Sequence, residues 1–243
     1  MSLHYKIYPL GDAAACIDLG NIIDEEINRK IIAIQSWFHS NPFEGLNDIV
    51  IAYASISVYY DPITIKKKNH FQSTVFEFIK QKLEAAFNQS AIISENDKKV
   101  IRIPVCYSDE FAADINFLAS EKQISKEEII HLHTSKTYRV YMIGFLPGFS
   151  YLGKVDERLI IPRKQKPVMV SAGAVGIAGS QTGIYPFACP GGWQIIGRAP
   201  FKLFDSKANV PVMMNAGDYV QFYEISREEF ENYISNAKSK IEE

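Results

Sequence analysis

The sequence predicts an α+β protein in two parts. Residues 1–96 read as a small ferredoxin-like α/β sandwich, and residues 97–243 as a β-barrel or β-sandwich with a helical bridge and a C-terminal helix. Three observations carry this reading. Two helical apolar faces interleave with short extended runs in the first third. Ten of the fourteen glycines fall between Gly144 and Gly197. The charge pattern changes in the same place: residues 136–204 hold nine basic and two acidic side chains, a net +7, whereas the whole chain is −2.

Residues 5–10 and 13–19 read as strands around a Gly11-Asp12 turn. Ile23, Ile27, Ile31, Ile34 and Phe38 then recur at helical spacing. Asp24, Glu25 and Glu26 lie at the start of that helix, where its dipole favours anions, and Asn41-Pro42 ends it. Residues 49–60 are rich in Ile, Val, Tyr and Ser and read as extended chain up to Asp61-Pro62. Phe71, Val75, Ile79, Leu83 and Phe87 mark a second helix. A polar link at 94–99 leads to a strand at 100–107.

The bridge opens on Ser125-Lys126-Glu127-Glu128, a capping box, and should end near His131 or His133. Short apolar runs at 138–143, 168–170, 193–196, 201–204 and 219–225 are separated by Gly and Pro, the pattern of a β-barrel or sandwich. A second capping box, Ser226 to Glu229, starts the last helix.

Composition limits the function classes. With 47% hydrophobic and 22% charged residues over 243 positions, the chain is neither disordered, collagenous nor a coiled coil. A chain this long buries roughly 70–75% of its unfolded surface and needs no staple. The net charge does not fit a basic nucleic-acid binder. Cys16, Cys106 and Cys189 are odd in number and widely spaced, as in a reducing, cytoplasmic setting. The N-terminus does not read as a secretory signal. The best apolar run, 140–152, is broken by Pro147 and two glycines, so no membrane span is expected.

Residues 167–197 contain no charged side chain and are flanked by Arg163 and Arg198. Glycine turns can present amides to an anion, and arginine grips carboxylate or phosphate with a planar fork. The segment therefore reads either as a small-anion site or as glycine-built barrel corners. Tyr185 and Trp193, inside the Gly-Pro loops, are candidate pocket walls; most other aromatic residues here read as core. Gln181 and Thr182 either orient a ligand or cap a turn. The Walker loop and GxGxxG are absent. GxSxG fails at Leu152, which leaves Ser150 as a turn residue. His131 and His133 do not share a helix face and no second ligand cluster is near, so no metal site is expected. Arg163-Lys164-Gln165-Lys166 reads as a solvated loop.

Several blocks closely resemble the family known as the 5-oxoprolinase B subunit, kinase A inhibitor, or the allophanate hydrolase subunit-one-like carboxyltransferase domain. They are HTSKTYRVY at 133–141, GFLPGFSYLG at 144–153, Pro162-Arg163, AGAVGIAG at 172–179, QTGIYP at 181–186 and PGGWQIIGR at 190–198. Two positions depart from the family pattern: Val168 follows Pro167, and Ala199 stands where threonine is usual.

The resemblance implies a C-terminal cyclophilin-like β-barrel and a subunit that is inactive alone. With subunits A and C it would form an ATP-dependent enzyme that opens 5-oxoproline to L-glutamate. It also implies two alternatives, an inhibitor of a sensor histidine kinase and half of a biotin-dependent, urea carboxylase-like carboxyltransferase. On this reading Arg163 and Arg198 neutralise carboxylate or phosphoryl charge, and His133 transfers a proton. Gln181, Thr182, Tyr185 and Trp193 contact the substrate, and the Gly191-Gly192 turn supplies amide donors. ATP would be shared with the partner subunits.

Overall fold

The apolar periodicities of the first third become two helices on one face of a sheet. The computed structural model describes residues 4–68, 73–91 and 100–239. Its two compact units are Met1–Asn96 and Asp97–Glu243. The first contains β1 (Lys6–Pro9), β2 (Ala14–Asp18), α1 (Glu25–Ser40), β3 (Leu46–Ile51), β4 (Ser55–Tyr60), α2 (Pro62–Lys68) and α3 (Val75–Gln89). The antiparallel sheet has the order β1-β2-β4-β3. Ile27, Ile31, Ile34 and Phe38 of α1 and Ile79, Leu83 and Ala86 of α3 pack on Ala15, Ile17, Ile56, Val58 and Tyr60. Asp24 and Thr74 cap these helices, accepting from Ile27 N at 3.0 Å and Glu77 N at 3.1 Å.

Local readings differ here in three places. The element order starts β-β-α-β-β-α, with an N-terminal edge strand, rather than the β-α-β-β-α-β of a ferredoxin-like sandwich. Residues 49–60 form most of a hairpin; its turn, Ala52-Tyr53-Ala54, carries no glycine, proline or asparagine signal. Asp61-Pro62 starts α2: Asp61 accepts from Ile63 N at 2.9 Å and Thr64 Oγ1 at 2.6 Å, and proline is favoured at a first helical position. Phe71 and the 94–99 link lie outside the described residues.

The second unit contains β5 (Val100–Val105), α4 (Ile115–Lys122), α5 (Lys126–Thr134), β6 (Thr137–Ile143), β7 (Ser150–Gly153), β8 (Val168–Val170), β9 (Ala174–Ala178), β10 (Gln181–Ile184), β11 (Cys189–Gly191), β12 (Gln194–Arg198), β13 (Tyr219–Glu224) and α6 (Arg227–Ser239). Seven strands form one sheet in the order β12-β9-β10-β7-β6-β13-β5. All pairs are antiparallel except β13 with β5. The sheet curls until its edges meet: Cys106 N donates to Arg198 O at 2.9 Å, and Arg198 N to Cys106 O at 3.0 Å. Gly197 makes this approach possible, because a Cβ there would lie 2.7 Å from Val105 Cγ1.

Val140, Leu152, Val175, Ile177, Ile184, Ile196, Val220 and Phe222 form one core with α4 and α5. A separate cluster, including Phe149, Ala174, Tyr185, Trp193 and Ile195, lies with Val170 of β8, which pairs with β11 as a two-stranded ribbon. The second capping box forms in full, Ser226 and Glu229 exchanging bonds of 2.7 and 3.2 Å; at the first, Glu128 N donates to Ser125 Oγ at 3.1 Å while the Glu128 carboxylate accepts from Arg158 at 2.7 Å. Residues 201–204 are not a strand; only Phe204 bridges, to Val212. Ser150 is not a turn residue but the buried start of β7.

Gly173 lies at φ +81°, and a Cβ there would collide with the Ala199 carbonyl oxygen. A left-handed non-glycine residue costs about 1–3 kcal/mol before any clash. Gly173→Ala should therefore lower the unfolding free energy read from urea denaturation by at least that amount, whereas Gly179→Ala (φ +57°, open space) should cost less.

Candidate anion-binding cleft

A cleft of about 230 Å³ is lined by residues that include Phe145, Phe149, Tyr151, Arg163, Lys164, Tyr185, Gly191, Gly192 and Trp193. Its wall is built around Phe149. That ring meets Tyr151, Tyr185, Trp193 and Phe145 edge-on, with centroids 4.8, 5.1, 5.4 and 5.7 Å away, a favourable geometry for aromatic pairs. Glycines set the spacing. A Cβ on Gly191 would lie 2.7 Å from Tyr185 Oη, and one on Gly183 would lie 3.0 Å from Trp193 Cζ3. Phe145 has φ 70°, a left-handed backbone that a phenylalanine rarely adopts, and such strain gathers at functional sites.

The basic loop is solvated at Arg163, Gln165 and Lys166, yet anchored through Lys164 and Pro162. Lys164 N donates to Gly192 O at 2.7 Å, and Gln194 Nε2 to Pro162 O at 3.2 Å. Lys164 Nζ pairs with Asp114 Oδ2 at 2.6 Å, each side chain 17% exposed, and the same carboxylate oxygen accepts Ile195 N at 2.6 Å. Lys164 is therefore already neutralised, while Arg163 stands exposed at the rim. Burial raises the Tyr151 and Tyr185 phenols, and the nearby Arg163 charge acts against it at both. Both hydroxyls remain protonated donors at neutral pH.

The cleft thus gathers Arg163, Tyr185, Gly191, Gly192 and Trp193. The other candidates lie elsewhere. Arg198 Nε donates to Ala172 O at 2.8 Å, and its guanidinium sits 5.7 and 5.8 Å from the ring centres of Phe111 and Phe230; it serves the closure of the sheet and does not line the cleft with Arg163. Gln181 is buried at the start of β10, opposite Gly153 and Ala178.

Thr182 and His133 face the core. Thr182 Oγ1 donates to Gly176 O at 3.0 Å, so it accepts from His133 Nε2–H at 2.9 Å. His133 Nδ1 then accepts the Tyr107 hydroxyl at 2.7 Å. The ring is fully buried against Phe222, centroids 4.4 Å apart, and burial lowers its pKa to about 3. Phe145, Phe149, Tyr151 and Lys164 were not anticipated as cleft residues. The first three lie in GFLPGFSYLG, where the aromatic load reads as core; the Lys164–Asp114 pair joins distant segments and leaves no sequence signal.

A second cavity, of about 500 Å³, includes Cys106, Lys126, His131 and Arg227 in its lining. Its lysine and arginine are paired, Lys126 with Asp109 at 2.6 Å and Arg227 with Glu110 and Glu231 at 3.1 and 2.9 Å. Among the described residues no His, Cys, Asp and Glu group can hold a metal ion, and no helix is long and apolar enough to cross a membrane.

A family model for the carboxyltransferase domain, subdomain C and D, matches residues 5–214. The B subunit of 5-oxoprolinase from Bacillus subtilis is 40% identical over 237 residues, 96% of this chain and 98% of that protein. The corresponding 5-oxoprolinase protein of Haemophilus influenzae is 44% identical over 218 residues, 89% of this chain and 96% of that protein. The structure of Kluyveromyces lactis urea carboxylase shares the fold, with TM-score 0.75 at 18% identity, over 96% of this chain and 23% of that one.

His133 makes a signed contribution to stability. Its folded pKa, about 3, lies below the ordinary value near 6.5. The contribution is complete above pH 6.5 and is lost as pH falls toward 3, by up to about 1.4 kcal/mol per pH unit. His133→Gln keeps one acceptor and one donor without titrating. Urea midpoints followed from pH 7 to 4 should fall less steeply in the variant than in the parent chain.

Proposed function

The chain belongs to the carboxyltransferase-domain family, in the branch that holds the B subunits of 5-oxoprolinase, and from that premise we propose that it is the B subunit of an ATP-dependent 5-oxoprolinase. It acts with subunits A and C, opens 5-oxo-L-proline to L-glutamate, and is inactive alone. The closed seven-stranded sheet is read as the cyclophilin-like barrel of that family. The supporting observation is the cleft itself: one exposed guanidinium, two protonated phenols and a glycine turn beside an aromatic wall.

At about 230 Å³ the cleft lies below the roughly 300–1,000 Å³ of drug-sized pockets. It suits a small ring acid and not a whole nucleoside triphosphate. The sequence has neither a Walker loop nor GxGxxG, and ATP is read as shared with the partner subunits. Arg163 holds the substrate carboxylate, the aromatic wall covers the flat face of the lactam, and Tyr151 and Tyr185 donate to its oxygens. Exclusion of water strengthens each of these contacts.

Carboxyl transfer is the second reading, favoured by the family description and by the fold shared with urea carboxylase. The experiment combines the chain with its partner subunits, ATP and 5-oxoproline, and measures glutamate. Glutamate formation insensitive to avidin supports the oxoprolinase; no glutamate from competent partners overturns it, and avidin-sensitive carboxyl transfer supports the second reading.

Arg163→Ala should lower kcat/KM about tenfold or more, because a hydrogen bond to a charged group is worth about 1.5–3 kcal/mol. Arg198→Ala should instead lower stability by about 1–2 kcal/mol, from one hydrogen bond and its ring contacts. Its kcat/KM should fall less than that of Arg163→Ala in the same assay.

A further inference from the structure

Two faces of the same pair of strands carry two unlike structures. On the core side runs the hydrogen-bond chain from Tyr107 through His133 and Thr182 to Gly176 O. The carbonyl of His133 is held as well, accepting Tyr138 Oη at 2.9 Å. On the other side, Gly176 and Gly183 are register partners on β9 and β10. Together they make a bare shelf: a Cβ on Gly176 would lie 3.0 Å from Trp193 Cβ, and one on Gly183 would lie 3.0 Å from Trp193 Cζ3 and 3.1 Å from Phe149 Cζ. Gly176 belongs to both structures, giving its oxygen to one and its missing side chain to the other.

We propose that His133 is a positioning residue for the cleft: through Thr182 it fixes the Gly176–Gly183 shelf on which Trp193 is seated. The imidazole reaches the substrate site only through β9 and β10. It does not line the cleft, so on this proposal it acts through Thr182 and not by direct proton transfer to the substrate. A phenylalanine at 133 would fill the space and lose both bonds. Valine at 182 would break the same chain one link further on, and serine there would preserve it.

This deepens the oxoprolinase reading and rests on it only for kinetics, so the test has two arms. In the full-length chain with Trp37→Phe, Trp193 is the sole tryptophan. His133→Phe and Thr182→Val should raise acrylamide quenching of Trp193 at least twofold while the far-ultraviolet dichroism stays native. His133→Gln and Thr182→Ser should stay close to the parent. In the assembled complex, His133→Phe and Thr182→Val should raise KM severalfold with a smaller change in kcat.

Unchanged quenching in a folded Thr182→Val chain overturns the proposal. So does a His133→Gln enzyme that loses kcat at constant KM, the outcome expected of a proton-transfer group. If the quenching arm behaves as described and the parent complex makes no glutamate, the positioning role stands and the oxoprolinase reading fails.

Discussion

The site-bearing unit depends on one seam, where Cys106 and Arg198 exchange backbone hydrogen bonds and close a seven-stranded sheet upon itself. An open sheet of this size would leave two edges with unpaired amides and carbonyls, and closure removes much of that exposure. The seam needs a residue without a side chain at 197, since Val105 and the Cys106 carbonyl press against that position. Arg198 then covers the join, bonding Ala172 O and lying against Phe111 and Phe230.

Closure separates two environments with opposite electrostatic rules. Inside, polar groups must be neutral and satisfied, because a charge taken out of water is costly. The Tyr107–His133–Thr182 chain obeys this rule, each hydroxyl and ring nitrogen meeting a partner. Outside, where the ribbon of β8 and β11 covers the aromatic cluster, a cation is tolerated at the rim. Of the two neighbouring cations there, Lys164 is matched by Asp114, and Arg163 is the one proposed to meet an anion.

Much of this was legible in the sequence, and the failures have physical causes. Periodicity located α1 and α3, because an amphipathic helix repeats its apolar face regardless of its partners. Capping boxes located the starts of α5 and α6. The turn at Ala52-Tyr53-Ala54 lacked turn residues, and Pro62 looked like a strand end although it opens a helix. At the cleft, Arg163, Tyr185, Trp193 and the Gly191-Gly192 turn could be named because they share one glycine-rich segment. Arg198 and Thr182 share that segment too, yet point to other surroundings. Composition reports which residues are present, whereas strand alternation decides which face each one takes.

That alternation is why neighbours in sequence serve different ends. Thr182 and Gly183 are adjacent, and one faces the hydrogen-bonded core while the other lies beneath Trp193. A one-residue slip of β10 that put Thr182 in the place of Gly183 would set a hydroxyl against the indole and bring Gln181 to the imidazole. The hydrogen bond from His133 to Thr182 opposes that slip, because it is lost when Thr182 changes face. The polar chain in the core and the apolar wall of the cleft are thus two consequences of a single register.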